Sequence, residues 1–146
     1  MTLATEQSPA PPKRLRHTGA PVLRGGKVQP LRAAVVVDER WVFVSGQVPM
    51  RDGQSVGQDI ATQTHYTIDL IESILAQEGC GLSDVVKVTA WLVNAGDYSG
   101  FNQAYGERFP AATAPTRSTV IAGLIAPVLL EMEALAIRPG AAATPL

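Results

Sequence analysis

The chain has 146 residues, 46% apolar and 17% charged, with a formal net charge of −1, which is one domain's worth of sequence and enough to bury roughly 68–70% of its unfolded surface. Its one cysteine, Cys80, cannot close an intrachain disulfide, and no Cys/His cluster has zinc-site spacing, so no structural metal is expected. No run reaches the ~18 apolar residues of a membrane span, and residues 1–20 lack the apolar stretch of a secretory signal, so a cytoplasmic protein is expected.

The charge is unevenly divided. Residues 1–32 hold six basic side chains against one acidic, +5, which leaves six basic and twelve acidic in residues 33–146, −6. A basic arm on an acidic body is not the footprint of a nucleic-acid-binding face. With Pro9, Pro11 and Pro12, residues 1–18 read as a disordered or loosely ordered arm, and residues 139–146 as a C-terminal tail, leaving a folded domain over 19–138.

Within that domain AAVVVDERWVFVSG predicts a β-hairpin broken at Asp38–Arg40, and RDGQSVG at 51–57 is turn chemistry. Asp59 then precedes Ile60, Thr64, Ile68, Ile71 and Leu75, whose spacing predicts one face of an amphipathic helix of about five turns, stopped near Gly79 and Gly81. Val85–Val93 is a nearly continuous apolar strand, with Val86, Val88, Ala90 and Leu92 expected on one face. Asp97 is placed to cap a second helix over Tyr98–Phe109. Strands at Arg117–Ala122 and Val128–Arg138 close the chain. The order ββαβαββ predicts an α+β fold, a mixed sheet with two helices on one face. The strands at 85–93 and 128–137 carry apolar residues on both faces, which predicts a closed homo-oligomer.

Candidate chemistry is sparse. Gly25–Gly26 lacks the context of a phosphate loop, His65 lies within the long helix, and Cys80 reads as a small buried residue rather than a nucleophile. Arg117 opens an apolar strand just after Pro115, and a guanidinium there can grip a carboxylate or form an ordinary edge-strand ion pair. Glu131 and Glu133 lie two apart on one strand face, about 6.6 Å between Cα atoms. Repulsion and burial would raise a carboxylate's pKa toward general-base range there, or one of the two pairs structurally with Arg117 or Arg138.

Four blocks in order, VSGQVP (44–49), GQDIATQTHYTIDLIESILAQEGCGLSDVVKVTAWLVN (57–94), DYSGFNQAYGERF (97–109) and APTRSTV…LLEMEALA (114–136), resemble the Rid family, also called the YjgF/YER057c/UK114 family, over roughly residues 30–138. The resemblance implies a Bacillus chorismate mutase-like fold, a homotrimer with clefts between subunits, and hydrolytic deamination of reactive 2-imino or enamine acids to 2-oxo acids and ammonia without cofactor or metal. It implies that Arg117 binds the substrate carboxylate, that Glu131 orients or activates water, and that Ser45, Gly46, Asn102 and the backbone of Thr119 line the site. One position departs: the imine-deaminating branch has a tyrosine after the proline preceding the first strand, and here Leu31 follows Pro30. That departure leaves open a non-catalytic small-metabolite-binding or interaction trimer using the same pocket. An endoribonuclease, the third reading, has least support, because the body is acidic and no His/His or His/Lys acid–base pair is evident.

Overall fold

The computed structural model describes residues 14–140, and the remainder of the expected arm and tail, residues 1–13 and 141–146, lies outside the described residues. Its strands are β1 (Leu15–Thr18), β2 (Leu23–Arg24), β3 (Lys27–Val28), β4 (Ala34–Val37), β5 (Trp41–Gln47), β6 (Met50–Arg51), β7 (Gln54–Ser55), β8 (Val85–Leu92), β9 (Thr116–Ile121) and β10 (Leu130–Ile137). Its helices are α1 (Ile60–Ala76) and α2 (Tyr98–Arg108). Six strands form one sheet in the order β1-β4-β5-β10-β8-β9, antiparallel throughout except for the parallel pair β8–β9. This is the expected α+β architecture, a mixed sheet with α1 and α2 packed on one face. Among the described residues no helix is long and apolar enough to cross a membrane.

Helix α1 begins where the sequence expects. The Asp59 carboxylate accepts from the Thr62 N–H at 2.8 Å and from its hydroxyl at 2.7 Å, satisfying a donor that the first turn leaves unpaired. Its end uses Gly79, at φ +70°, where the chain turns back and the Cys80 N–H reaches the Leu75 carbonyl at 3.0 Å. The helix buries Thr64, Ile68, Ile71, Ile74 and Leu75 against Val36, Val42, Val44, Val88, Ala90, Met132 and Ala134 of the sheet. Phe101 and Tyr105 bring α2 into the same core.

Three local expectations need correction. Residues 15–18, assigned to the loose arm, form β1, which pairs with β4 from Leu15↔Val37 to Thr18↔Ala34. Arg16 fastens it: its guanidinium donates to Glu39 at 2.9 and 3.0 Å and to Glu78 at 2.9 and 2.8 Å, while the Thr18 hydroxyl donates to Glu78 at 2.8 Å. Second, Val86 does not share a face with Val88, because the register to β10 slips there, with Leu135 opposite Lys87 and Ala136 opposite Val85. Val85 is buried and Val86 exposed as a result. Third, Asp97 makes no side-chain cap on α2; it ends a 3₁₀ turn over Ala95–Asp97, and its carboxylate accepts from the Asn94 amide at 3.3 Å.

Among the described residues nothing covers the sheet face away from the helices. Phe43 is 49% exposed there, and Val35, Val37, Trp41, Leu135 and Ile137 are half-buried.

Candidate active site

Arg117 enters the sheet on β9, the edge strand that runs parallel to β8. Thr116 fixes the entry, its hydroxyl donating to the Val86 carbonyl at 2.9 Å. Register pairs Arg117 with Val88 and Thr119 with Ala90, two core-facing residues, so both side chains lie on the helix-facing side. On α2, Tyr98, Phe101, Asn102 and Tyr105 stand at i, i+3, i+4 and i+7 and therefore share the face turned toward that strand. Arg117 Nη2 donates to Asn102 Oδ1 at 2.8 Å and to the Tyr98 hydroxyl at 3.2 Å. The guanidinium carbon lies 4.6 Å from the Tyr105 ring centre, 5.2 Å from Phe101 and 6.0 Å from Tyr98. No carboxylate comes within ion-pair distance of Arg117 among the described residues, so the edge-strand ion pair is not formed.

Two hydroxyls here, Thr119 Oγ1 and Tyr105 Oη, have no hydrogen-bond partner among the described residues, and both are shielded from solvent. Burial pushes the Tyr105 phenol up to about 12, a shift that the nearby Arg117 charge opposes. Tyr105 is therefore a neutral wall of the arginine's pocket rather than a base.

Glu131 occupies a different place. It pairs with Trp91 in the β8–β10 register and so projects from the outer face, opposite to Arg117 and two strands away. Across from it, β5 carries an extra residue: Met132 pairs with Gln47 but Ala134 with Val44, so Ser45 and Gly46 together oppose Glu133. This bulge lets the backbone at Gly46 run directly beneath the Glu131 carboxylate, and a Cβ at position 46 would overlap Glu131 Oε1. Burial raises the Glu131 carboxyl above its ordinary value; Glu133 raises it further and Arg24 opposes both. Neither glutamate pairs with Arg138, whose carboxylate partner is Glu39 at 2.9 Å. Ser45 donates its hydroxyl to the Arg32 carbonyl at 2.6 Å, which ties the bulge to the preceding segment. Leu31, 40% exposed, lines a shallow groove with Ser45, Pro30 and Val35.

The sequence-predicted residues thus fall into two groups. Arg117, Asn102 and Thr119 gather on the helix side of the sheet's edge, and Ser45, Gly46 and Glu131 on its outer face, with Leu31 beside Ser45. One chain does not bring the groups together. The aromatic residues around Arg117 were missed, although their spacing with Asn102 along α2 was a usable signal. The groups set aside stay apart from both clusters: His65 Nε2 lies 3.0 Å from Glu107, and Cys80 is buried, which raises its thiol pKa.

Known proteins resemble this chain in sequence and in fold. A RutC family protein of Pyrococcus abyssi is 37% identical over 100 residues, 67% of this chain and 79% of its own. TdcF of Escherichia coli strain K12, provisionally named a reactive intermediate deaminase, is 33% identical over 102 residues, 66% of this chain and 78% of its own. The crystal structure of yeast Mmf1 superposes with a TM-score of 0.75 at 28% identity, covering 86% of this chain and 99% of that one. YyfA of Yersinia pestis, described as a member of the Rid protein family, gives a TM-score of 0.75 at 28% identity over 85% and 99%. Residues 27–138 match the family described as Endoribonuclease L-PSP, and with these relatives the chain belongs to that family, the Rid (YjgF) family.

Proposed function

We propose that the protein is a hydrolase that deaminates reactive 2-imino or enamine acids, giving 2-oxo acids and ammonia. The observation that carries the reading is Arg117: a half-buried guanidinium held by neutral acceptors and aromatic faces, with Nε and Nη1 free of protein partners among the described residues. Such a cation keeps its charge for an anionic ligand, and a carboxylate is the anion that its planar N–H groups suit. The name of TdcF, a reactive intermediate deaminase, supports deamination at the level of the family.

The opposed placement of Arg117 and Glu131 supports a homotrimer in which one subunit's Arg117 faces a neighbour's Glu131 across a cleft. The apolar sheet face that the described residues leave open, including Phe43, is the surface that such an assembly would bury. In that cleft Arg117 fixes the substrate carboxylate and thereby aims the adjacent iminium carbon. Water adds to the carbon while Glu131 accepts its proton, a role suited to a carboxylate whose pKa is raised. Glu131 returns that proton to the carbinolamine nitrogen and then accepts the hydroxyl proton as the C=O bond forms and the C–N bond breaks, so that ammonia leaves behind a 2-oxo acid.

The test is ammonia release from imines generated in situ by an amino-acid oxidase, with Arg117→Met and Glu131→Gln variants assayed singly and after co-refolding. Each variant alone should be nearly inactive. A mixed trimer should recover about one working cleft in four, because the two residues come from different chains. No recovery, or full activity in Arg117→Met, would overturn the shared site. A monomeric mass by light scattering would overturn the trimer.

Leu31 favours a second reading, a small-metabolite binder, since it puts an apolar side chain beside Ser45. Binding of 2-oxo acids without imine turnover would select it. Ribonuclease chemistry has less support: residues 33–146 carry −6, and the histidine of α1, His65, is engaged by Glu107.

A further inference from the structure

The arginine's fork is partly occupied by its own protein. Two parallel bonds to a carboxylate require Nη2 together with either Nε or Nη1, because only those pairs present adjacent, parallel N–H groups. Here Nη2 already donates to both Asn102 Oδ1 and the Tyr98 hydroxyl. The two acceptors differ in what they have left. Asn102 offers Arg117 a carbonyl oxygen, which can only accept. Tyr98 offers a hydroxyl, which accepts from Nη2 and still holds a proton for which no protein acceptor exists among the described residues. The guanidinium charge turns the phenol oxygen toward itself and the O–H away from it, toward the side from which an anion would approach. Tyr98 is also open to that approach, being 47% exposed at the first turn of α2.

We propose that Tyr98 is a substrate-binding residue that supplies the second hydrogen bond to the carboxylate held by Arg117. The carboxylate takes one bond from a free arginine N–H and the other from the Tyr98 O–H, so guanidinium and phenol together form the fork. The preferred ligand is accordingly a small carboxylate whose two oxygens are both unencumbered. Asn102 positions the arginine and does not touch the ligand. This inference rests on the reading of Arg117 as the carboxylate-binding group.

The experiment compares full-length wild type, Tyr98→Phe and Arg117→Met, with pyruvate as the carboxylate probe in calorimetric titration and with imine turnover measured alongside. Tyr98→Phe keeps the ring and removes only the hydroxyl. It should weaken pyruvate about tenfold, the effect of losing a hydrogen bond to a charged group, and raise KM by a similar factor with kcat near wild type. A merely structural hydroxyl would move the melting temperature and leave that KM-against-kcat split unseen. If Tyr98→Phe binds as wild type does while Arg117→Met loses binding, Tyr98 is not the second donor and the Arg117 reading stands. Tighter binding by Tyr98→Phe would make the hydroxyl a competitor of the ligand and also overturn the proposal. Saturable binding retained in Arg117→Met, or none in wild type at millimolar pyruvate, would remove the carboxylate site itself and this proposal with it.

Discussion

Arg16 and Arg117 sit on the two edge strands at opposite ends of the same sheet, β1 and β9, and their surroundings are nearly inverse. Arg16 makes four hydrogen bonds to two carboxylates, one of which, Glu78, is only 7% exposed. Arg117 has two bonds, both to neutral oxygens, and otherwise rests against three aromatic rings. An arginine matched with carboxylates is a fastener: its charge is spent, and the free energy it contributes goes into holding β1 to the α1 terminus. An arginine held by neutral acceptors is oriented at little cost to its charge, which is what a ligand site needs. Exposure alone would not separate them, since neither is fully buried.

The sharpest way to break the comparison is to remove each guanidinium in turn. Arg117→Met should lower kcat/KM for imine hydrolysis by about 100-fold or more while the melting temperature moves little. Arg16→Met should do the converse, dropping the melting temperature by several degrees by leaving the Glu78 carboxylate without its main partner, with kcat/KM kept. Equal losses of stability in the two variants would mean that Arg117 is also a fastener.

A smaller effect should come from making Arg117 resemble Arg16. Asn102→Asp places a carboxylate where the amide oxygen lies 2.8 Å from Nη2, and the new ion pair would neutralise the cation before a ligand arrives. KM should rise about tenfold, with the melting temperature unchanged or slightly raised. An unchanged KM would show that the charge on Arg117 does not recruit substrate.

How legible these two arginines were in the sequence follows from where their partners lie. Arg117 stood out because a charge at the head of an apolar strand is costly, and the family blocks placed it; its freedom from ion pairs could not be read, because that depends on which carboxylates the fold brings near. Arg16 was assigned to a loose arm, since its partners Glu39 and Glu78 stand 23 and 62 residues away. Local composition around three prolines outweighed a pairing that exists only once the sheet has formed. The α+β layers, α1 beginning after Asp59 and the strand at 130–137 were all readable from local pattern, chiefly periodicity. The bulge at Ser45–Gly46 was not, although it decides where Glu131 lies, because a register slip leaves no mark on a strand's apolar pattern when one residue of the bulge is a glycine. The division of the site between two sheet faces was hidden for a related reason: alternation tells which residues share a face within a strand, but only the register across β10, β8 and β9 relates Glu131 to Arg117.

The smallest expected effect separates the two arginines by pH. Arg16 holds both Glu39 and Glu78 below the ordinary carboxylate range, chiefly through its hydrogen bonds to them. A carboxylate whose folded pKa is depressed contributes stability that is fully present above its unfolded value, about 4.3 for glutamate, and is lost as pH falls through the folded value. Below that range both forms are protonated in the folded and unfolded chain alike, and the contribution is gone. Wild type should therefore lose stability steeply as pH falls below about 4.3. Arg16→Met, in which the main cause of the depression is absent, should follow a shallower curve that meets the wild type at acid pH. Arg117→Met should run parallel to wild type throughout, because no carboxylate among the described residues pairs with that arginine. Denaturant unfolding at a series of pH values reads all three curves, and an acid slope that Arg117→Met flattens as much as Arg16→Met does would place a hidden ion pair at the proposed ligand site.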